Sequence, residues 1–258
     1  MAVALAALPA ATPAASPISA GETAIAELRQ TVRSGTRCDT AKNGLVYVGP
    51  TDARLTACLN AHPKATTLTI TSLGGPVSDA IAAARIVAAR NMSVEVAGFC
   101  GSSCGNYIAA AGTRLDVLPD SVIMLHGAPP ADPATQREQA AAALDEAGIP
   151  VDEDDGAVLR SAVAQLQAQR AVHDKFAADF AVGSQWYALA AYYRAVQGED
   201  DAPMLLVSPE FARACLGHPA IGTFWYPATE AERARERQLL GGEAMFMGAD
   251  LPTPDSCN

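Results

Sequence analysis

The sequence contains few of the residues that build nucleic-acid interfaces or all-β cores. Aromatic residues make up 5% of its 258 residues, and only three residues are lysines. Asp and Glu outnumber Lys and Arg by 28 to 18, which gives a formal net charge of −10. Because phosphate contacts require clustered basic side chains, this balance argues against nucleic acid as a partner. An all-β sandwich is also disfavoured, since it needs many β-branched and aromatic residues.

Long apolar runs are missing as well. No uninterrupted apolar stretch reaches the ~18–20 residues of a membrane helix, so we expect no integral membrane span. Residues 1–20 have the apolar body and the small-residue end of a secretory signal, but they lack its positively charged start. We interpret 1–20 as a signal-peptide-like or disordered leader and 21–258 as a single domain.

Six cysteines are present, and no two of them form a Cys-x-x-Cys pair. A zinc knuckle is therefore not expected, and we expect no metal and no other cofactor. An even number of cysteines beside a signal-like leader indicates an oxidising compartment, which means a periplasmic or secreted protein. Proximity in the chain favours two bridges, Cys38 with Cys58 and Cys215 with Cys257. Cys100 and Cys104 either form a third bridge or are simply two buried residues.

Strand and helix patterns alternate along the first half of the domain, which predicts an α/β fold with largely parallel strand pairing. A helical excursion is predicted over about 127–200, with His173 on a solvated helix face. The predicted strands are 45–48, 68–71, 94–96, 122–125, 205–207 and 223–226. The predicted helices are 24–32, 51–60 with Thr51 as its cap, 77–90, a short one ending at 111, 135–146, 157–180, 186–196, 209–216 and 229–240.

Small residues at 98–105 lead from a strand into a short helix. Ser102 or Ser103 would then lie at a helix N-terminus, where the helix dipole favours negative charge. His126 ends the next strand and is a natural base, and the Gly74–Gly75 turn could direct an N–H group to the same place. A serine hydrolase needs these three components. Each one alone is more typical of a helix cap, a structural histidine or an ordinary turn, but together they indicate a site at the carboxyl ends of the strands.

The stretch 68–126 resembles the Clp-type serine proteases and, more distantly, signal peptide peptidase A. Residues 74–77 are similar to the family's Gly-Gly turn, 103–112 to its nucleophile helix, and 118–126 to the segment that ends in its catalytic histidine. Farther on, 208–212 resembles the segment after its catalytic aspartate. The resemblance implies a ClpP/crotonase-like β-β-α superhelix.

The resemblance also implies roles for individual residues. Ser103 precedes Gly112 by the nine residues that separate the family's nucleophile from the corresponding glycine, which makes Ser103 our preferred nucleophile. Counting forward from the start of the turn gives Ser102 instead. His126 corresponds to the general base, and the N–H groups of Gly75 and Cys104 correspond to the oxyanion donors.

The family's catalytic acid has no matching carboxylate here. The aligned position is near Pro203, and the nearest carboxylates are Asp200 and Asp201, of which Asp201 is our candidate.

The resemblance implies a serine endopeptidase that cleaves peptides or unfolded protein segments, and a homo-oligomer formed through the helices of 127–200. Two alternatives stay open: a non-catalytic binding or assembly protein on the same scaffold, and a crotonase-type enzyme that acts on acyl thioesters of coenzyme A.

Overall fold

A computed structural model describes residues 29–32, 35–42, 44–149, 156–198, 204–240, 244–254 and 257. The predicted leader 1–20, most of the predicted helix 24–32 and the predicted acid Asp201 lie outside these residues. Within them the chain is a mixed α/β protein built on one nine-stranded sheet.

Nine strands form the sheet in the order β1-β2-β3-β4-β6-β7-β9, and β5 joins β4 to β8 beside this path. Six of the eight strand pairings are parallel, so the predicted α/β class with largely parallel pairing is confirmed. The strands are β1 (Arg37–Ala41), β2 (Gly44–Val48), β3 (Thr67–Ser72), β4 (Ser93–Gly101), β5 (Arg114–Val117), β6 (Val122–Leu125), β7 (Leu205–Leu206), β8 (Ala220–Phe224) and β9 (Met245–Phe246).

Helices cover the sheet and form the excursion after β6. The helices are α1 (Ala53–Ala61), α2 (Val77–Ala89), a π-helical turn (Cys104–Ile108) that continues as α3 (Ala109–Ala111), α4 (Pro133–Glu146), α5 (Ala157–Asp179), α6 (Ser184–Tyr187), α7 (Leu189–Gln197), α8 (Pro209–Cys215) and α9 (Glu230–Leu239). In the described part of the excursion, α4 and α5 pack on each other, and α5 also packs on α2. No helix in the described ranges is long and apolar enough to cross a membrane.

The main core lies where α1, α2 and the π-helical turn meet the sheet. Leu68 and Ile70 of β3 are fully buried at alternate positions, as the period of a strand requires. Ile81 and Ala84 of α2 pack in the same cluster, in agreement with the helical periodicity of that segment.

The predicted cap of α1 is wrong by one position, because the side chain of Asp52, and not that of Thr51, accepts from the N–H of the first turn.

Strand β4 is longer than the sequence predicts, and it divides between two neighbours. Its first half, at Val94–Val96, pairs with β5, while its second half, at Phe99–Gly101, pairs with β6. Gly98 lies between the halves with a φ of +86°, a conformation that glycine adopts without steric cost. The predicted turn therefore begins after residue 101 and not at 98. Strands β1, β5 and β9 have no counterpart among the predicted strands.

Three disulfides join all six cysteines. Cys38 bonds to Cys58 and Cys215 to Cys257, which confirms both expected pairs. The third pair, for which burial without a bond was the alternative, is also a disulfide, with a Cα–Cα distance of 5.1 Å. The three bridges are compatible with an extracellular or periplasmic protein.

His173 is a buried residue and does not lie on a solvated helix face as predicted. It is 2% exposed, and its Nδ1 lies 3.1 Å from the Tyr107 hydroxyl oxygen. The ring of Tyr187 packs edge-on against the imidazole. Burial and, to a smaller extent, the nearby Arg170 guanidinium lower the pKa of His173 to about 4.

The length of the loop that a disulfide closes predicts how much the disulfide stabilises the fold. Cys215 and Cys257 are 42 residues apart, whereas Cys100 and Cys104 are four apart. All four side chains are buried, so alanine pairs make matched variants. We expect the loop-closure loss to be about 4 kcal/mol for the long loop and about 2 kcal/mol for the short one. Urea unfolding of the two double variants measures this difference, and equal losses would contradict it.

The buried His173 predicts a loss of stability in mild acid. Its pKa is about 4 in the folded state, against about 6.5 in an unfolded chain. The unfolded state therefore binds more protons between these values, and the free energy of unfolding falls by about 3 kcal/mol as the pH drops through that window. Urea unfolding between pH 7 and pH 4 tests this. His173→Gln should show a shallower fall, and an unchanged slope in that variant would refute the assignment.

Candidate functional site

Ser102 and His126 form a contact at the carboxyl end of the parallel strands. Ser102 follows β4 directly, and His126 follows β6 directly. The Ser102 Oγ atom lies 2.6 Å from His126 Nε2, so the two side chains share a hydrogen bond. Ser102 is half-buried and His126 is exposed, which leaves the pair open to a ligand.

Strand pairing brings these two residues together. Gly101, the last residue of β4, pairs with Met124 of β6. The Ser102 N–H then donates to the Met124 carbonyl at 2.9 Å. Parallel strands place their carboxyl ends at one edge of a sheet, so the residues that leave these two strands emerge side by side.

Ser102 has a backbone conformation that is rare for a serine. Its φ is +53°, in the left-handed region that residues with a Cβ atom usually avoid. Such conformations cost of order 1–3 kcal/mol and are concentrated at functional sites. The turn therefore directs the Ser102 hydroxyl toward His126 at a local energetic cost.

Ser103, the nucleophile preferred from the sequence, is placed elsewhere. It is 3% exposed, and its Oγ donates to the Gly75 carbonyl at 2.7 Å. The structure thus brings Ser102, and not Ser103, to His126. The physical reason is the π-helical turn: its i→i+5 hydrogen bonding takes up more residues per turn than an α-helix. The family's nine-residue spacing from Gly112 leads to Ser103, whereas the hydroxyl beside His126 belongs to the residue before it.

The Gly74–Gly75 turn packs directly against the turn of Ser102. A Cβ atom on Gly74 would lie 2.7 Å from Ser102 Cβ and 3.0 Å from Ser103 N, and the φ of Gly74 is +101°. The Gly74 N–H donates to Ser72 Oγ, and its carbonyl accepts from Thr51 N–H. Only glycine fits this approach, which explains the residue type at the position.

Backbone N–H groups without an acceptor in the described ranges lie near the same turn. The hydrogen bonds within the described ranges leave the Gly75 N–H without an acceptor. Ser103 and Cys104 begin a helical segment, where the first N–H groups have no intrahelical partner. Gly75 and Cys104, the predicted oxyanion donors, therefore both lie beside the turn of Ser102.

The Cys100–Cys104 disulfide closes a small loop around both serines. Both cysteines are fully buried. The bridge links the end of β4 to the start of the π-helical turn and so restrains the backbone of Ser102 from both sides. Because Cys104 is bonded in this way, its sulfur is not a free nucleophile.

The third member of a triad is not seen in the described ranges. Within them, the only hydrogen-bond partner of the His126 side chain is Ser102. The candidate acid Asp201 lies outside them and stays a prediction. Strand β7 begins four residues after that position and pairs antiparallel with β6, so that Leu205 lies opposite Leu125, the residue before His126.

A metal centre is not indicated either. The described residues contain no cluster of His, Cys, Asp or Glu that could hold a metal ion. All six cysteines are bonded to one another, so none of them is free to bind a metal as a thiolate.

The sequence analysis did not single out Asn106. It is a buried residue of the π-helical turn, and its Nδ2 donates to the carbonyl of Gly127, the residue after His126, at 2.9 Å. The sequence does contain a feature that distinguishes Asn106, because it is the single amide side chain in the run 104–112. A polar residue in such a largely apolar run needs a buried partner.

The close approach of Gly74 predicts the effect of adding one methyl group. Gly74→Ala should destabilise the fold by about 2–4 kcal/mol and displace Ser102, because the new atom meets Ser102 Cβ. Gly148→Ala is the matched control: Gly148 also has a positive φ, of +68°, but nothing lies within 4 Å of its added Cβ. That variant should lose about 1 kcal/mol. Urea unfolding and the ¹⁵N NMR shifts of the His126 ring test both, and similar results for the two variants would contradict the packing argument.

Comparison with models of known protein families finds no match to this chain, and comparison with curated proteins finds none either.

Proposed function

We propose that this protein is an exported serine hydrolase of the peptidase type, with Ser102 as its nucleophile and His126 as its general base. The observation that carries the proposal is the 2.6 Å contact between Ser102 Oγ and His126 Nε2. This distance is within the reach that proton transfer between a nucleophile and its base requires. The proposed nucleophile thus differs from Ser103, which the spacing favours.

In the proposed reaction the Ser102 oxygen attacks an acyl carbon while His126 Nε2 takes the hydroxyl proton. The N–H groups of Gly75, Ser103 and Cys104 stabilise the negative oxygen of the tetrahedral intermediate. Collapse of the intermediate breaks the amide bond, and His126 passes its proton to the leaving amine. Water then hydrolyses the ester on Ser102, with His126 again as the base.

The open surface beside Ser102 supports an extended chain as substrate. Leu73, Gly75 and Pro76 follow β3 and are exposed next to the serine turn. An exposed apolar side chain beside exposed backbone is a surface against which a peptide can lie. The substrate class itself, peptides or unfolded protein segments, comes from the resemblance to Clp-type proteases.

The cysteines support a location outside the cytoplasm. All six are paired, and disulfides persist in oxidising compartments. Together with the signal-like composition of residues 1–20, this favours a periplasmic or secreted hydrolase.

A second candidate is a non-catalytic binding or assembly protein on the same scaffold. The observation that favours it is that no carboxylate in the described ranges bonds to His126. An imidazole without an orienting acid is a much weaker base, by a factor of about 10⁴ where this has been tested in a serine protease. This candidate keeps the fold and the disulfides but has no activated serine.

Labelling with a fluorophosphonate probe separates the two candidates, because the probe reacts with activated serines. We expect the oxidised wild-type protein to label and Ser102→Ala to lose labelling completely. Ser103→Ala should still label, more slowly, because it loses the bond to the Gly75 carbonyl. His126→Gln should label at least about 10³-fold more slowly.

His62→Gln is the matched histidine control. His62 follows α1 and lies near Gly44 and Thr66, where β2 and β3 begin, whereas Ser102 lies where the strands end. This variant should label as the wild type does. Labelling that survives in Ser102→Ala but disappears in Ser103→Ala would restore Ser103 as the nucleophile. A folded wild type that does not label at all would favour the non-catalytic candidate.

A further inference from the structure

Asn106 connects the turn of Ser102 to the backbone that carries His126. It is 4% exposed and lies in the π-helical turn. Its main-chain N–H donates to the Ser102 carbonyl at 2.8 Å. Its side-chain Nδ2 donates to the Gly127 carbonyl at 2.9 Å. One residue therefore contacts both sides of the Ser102–His126 pair.

Hydrogen bonds hold the backbone on both sides of His126. The Ser102 N–H donates to the carbonyl of Met124, two residues before the histidine. The Asn106 amide holds the carbonyl of Gly127, one residue after it. Gly127 has a φ of +105°, so the chain turns sharply where Asn106 holds it. These two bonds fix residues 125 and 126 relative to the serine turn.

We propose that Asn106 is a positioning residue, which holds His126 within hydrogen-bond reach of Ser102 through its bond to the Gly127 carbonyl. The inference rests on the function proposed above. Asn106 acts through the backbone, and its side chain bonds to neither the Ser102 hydroxyl nor the imidazole.

The two polar atoms of the Asn106 side chain differ in their surroundings. The Asn106 Oδ1 atom is buried and has no hydrogen-bond partner in the described ranges. A buried acceptor without a partner destabilises a fold, so Oδ1 gives no stability, whereas the Nδ2 atom satisfies the buried Gly127 carbonyl. What the amide contributes is its Nδ2 donor, and that donor is directed at the segment of His126.

The variant that tests this is Asn106→Leu, which keeps the number of side-chain heavy atoms and removes the donor. Tyr107→Phe is the matched control, because Tyr107 is the next residue of the same turn. It loses one buried hydrogen bond, to His173, and leaves the bonds of Asn106 in place. Thermal unfolding of both variants shows whether they fold and how much stability each loses.

The first readout is the rate of fluorophosphonate labelling at saturating probe. We expect Asn106→Leu to lower this rate about 10–100-fold, because small displacements of a catalytic group have effects of that size. The probe concentration at half-saturation should stay within about twofold, since the probe's own contacts are unchanged. Tyr107→Phe should react as the wild type does. Equal rates in Asn106→Leu and wild type, or equal losses in both variants, would overturn the proposal.

The second readout does not depend on a reactive serine. The ¹⁵N shift of His126 Nε2 reports its hydrogen bond with Ser102, and we expect Asn106→Leu, but not Tyr107→Phe, to move it toward the value in Ser102→Ala. If the shift moves as expected while the wild type does not label, the proposed hydrolase activity fails and the positioning role stands. If the shift does not move, the positioning role fails whatever the labelling shows.

Discussion

The division of β4 between two neighbouring strands determines where the candidate site forms. The strand bends at Gly98, leaves β5 and pairs with β6 over its last three residues. Without that second pairing, Ser102 and His126 would leave the sheet at separate places. With it, the Ser102 N–H bonds to Met124 and the two side chains meet at 2.6 Å. The hydrogen bonds of a strand thus place two residues that are 24 positions apart in the chain.

The turn after β4 combines an unfavourable backbone conformation with several restraints. Ser102 has a positive φ, and the adjoining helical segment begins as a π-helical turn. The Cys100–Cys104 disulfide, the packing of Gly74 and the hydroxyl of Ser103 all hold this turn in place. Strained residues held by their surroundings are concentrated at active sites and ligand clamps, so the turn of Ser102 has the character of a functional site.

Two histidines show how surroundings decide what a side chain can do. His126 is exposed at a strand end and bonds to a serine, so its ring is accessible to a ligand. His173 is buried among Tyr107 and Tyr187, and burial lowers its pKa, so it stays neutral and contributes packing. The charged neighbour Asp174 suggests a solvated face for His173, but Tyr107 and Tyr187 pack against the imidazole and bury it instead.

Much of this protein follows from its sequence alone. Apolar periodicity predicted the strands β2, β3 and β6 and the helices α2 and α5, because each of those patterns is local and long enough to distinguish a strand from a helix. Proximity in the chain indicated two of the disulfides, and small residues at strand ends indicated the region of the site. Strands β1, β5 and β9 were not predicted: all five residues of β1 are exposed and show no apolar alternation, and β5 and β9 have too few residues to show a pattern.

Only the tertiary structure decided between Ser102 and Ser103. The family's nine-residue spacing from Gly112 led to Ser103, and a π-helical turn, which holds more residues per turn than an α-helix, lies between the two serines and Gly112. Which hydroxyl meets His126 depends on a pairing between β4 and β6, and no local pattern encodes a hydrogen bond between strands distant in sequence.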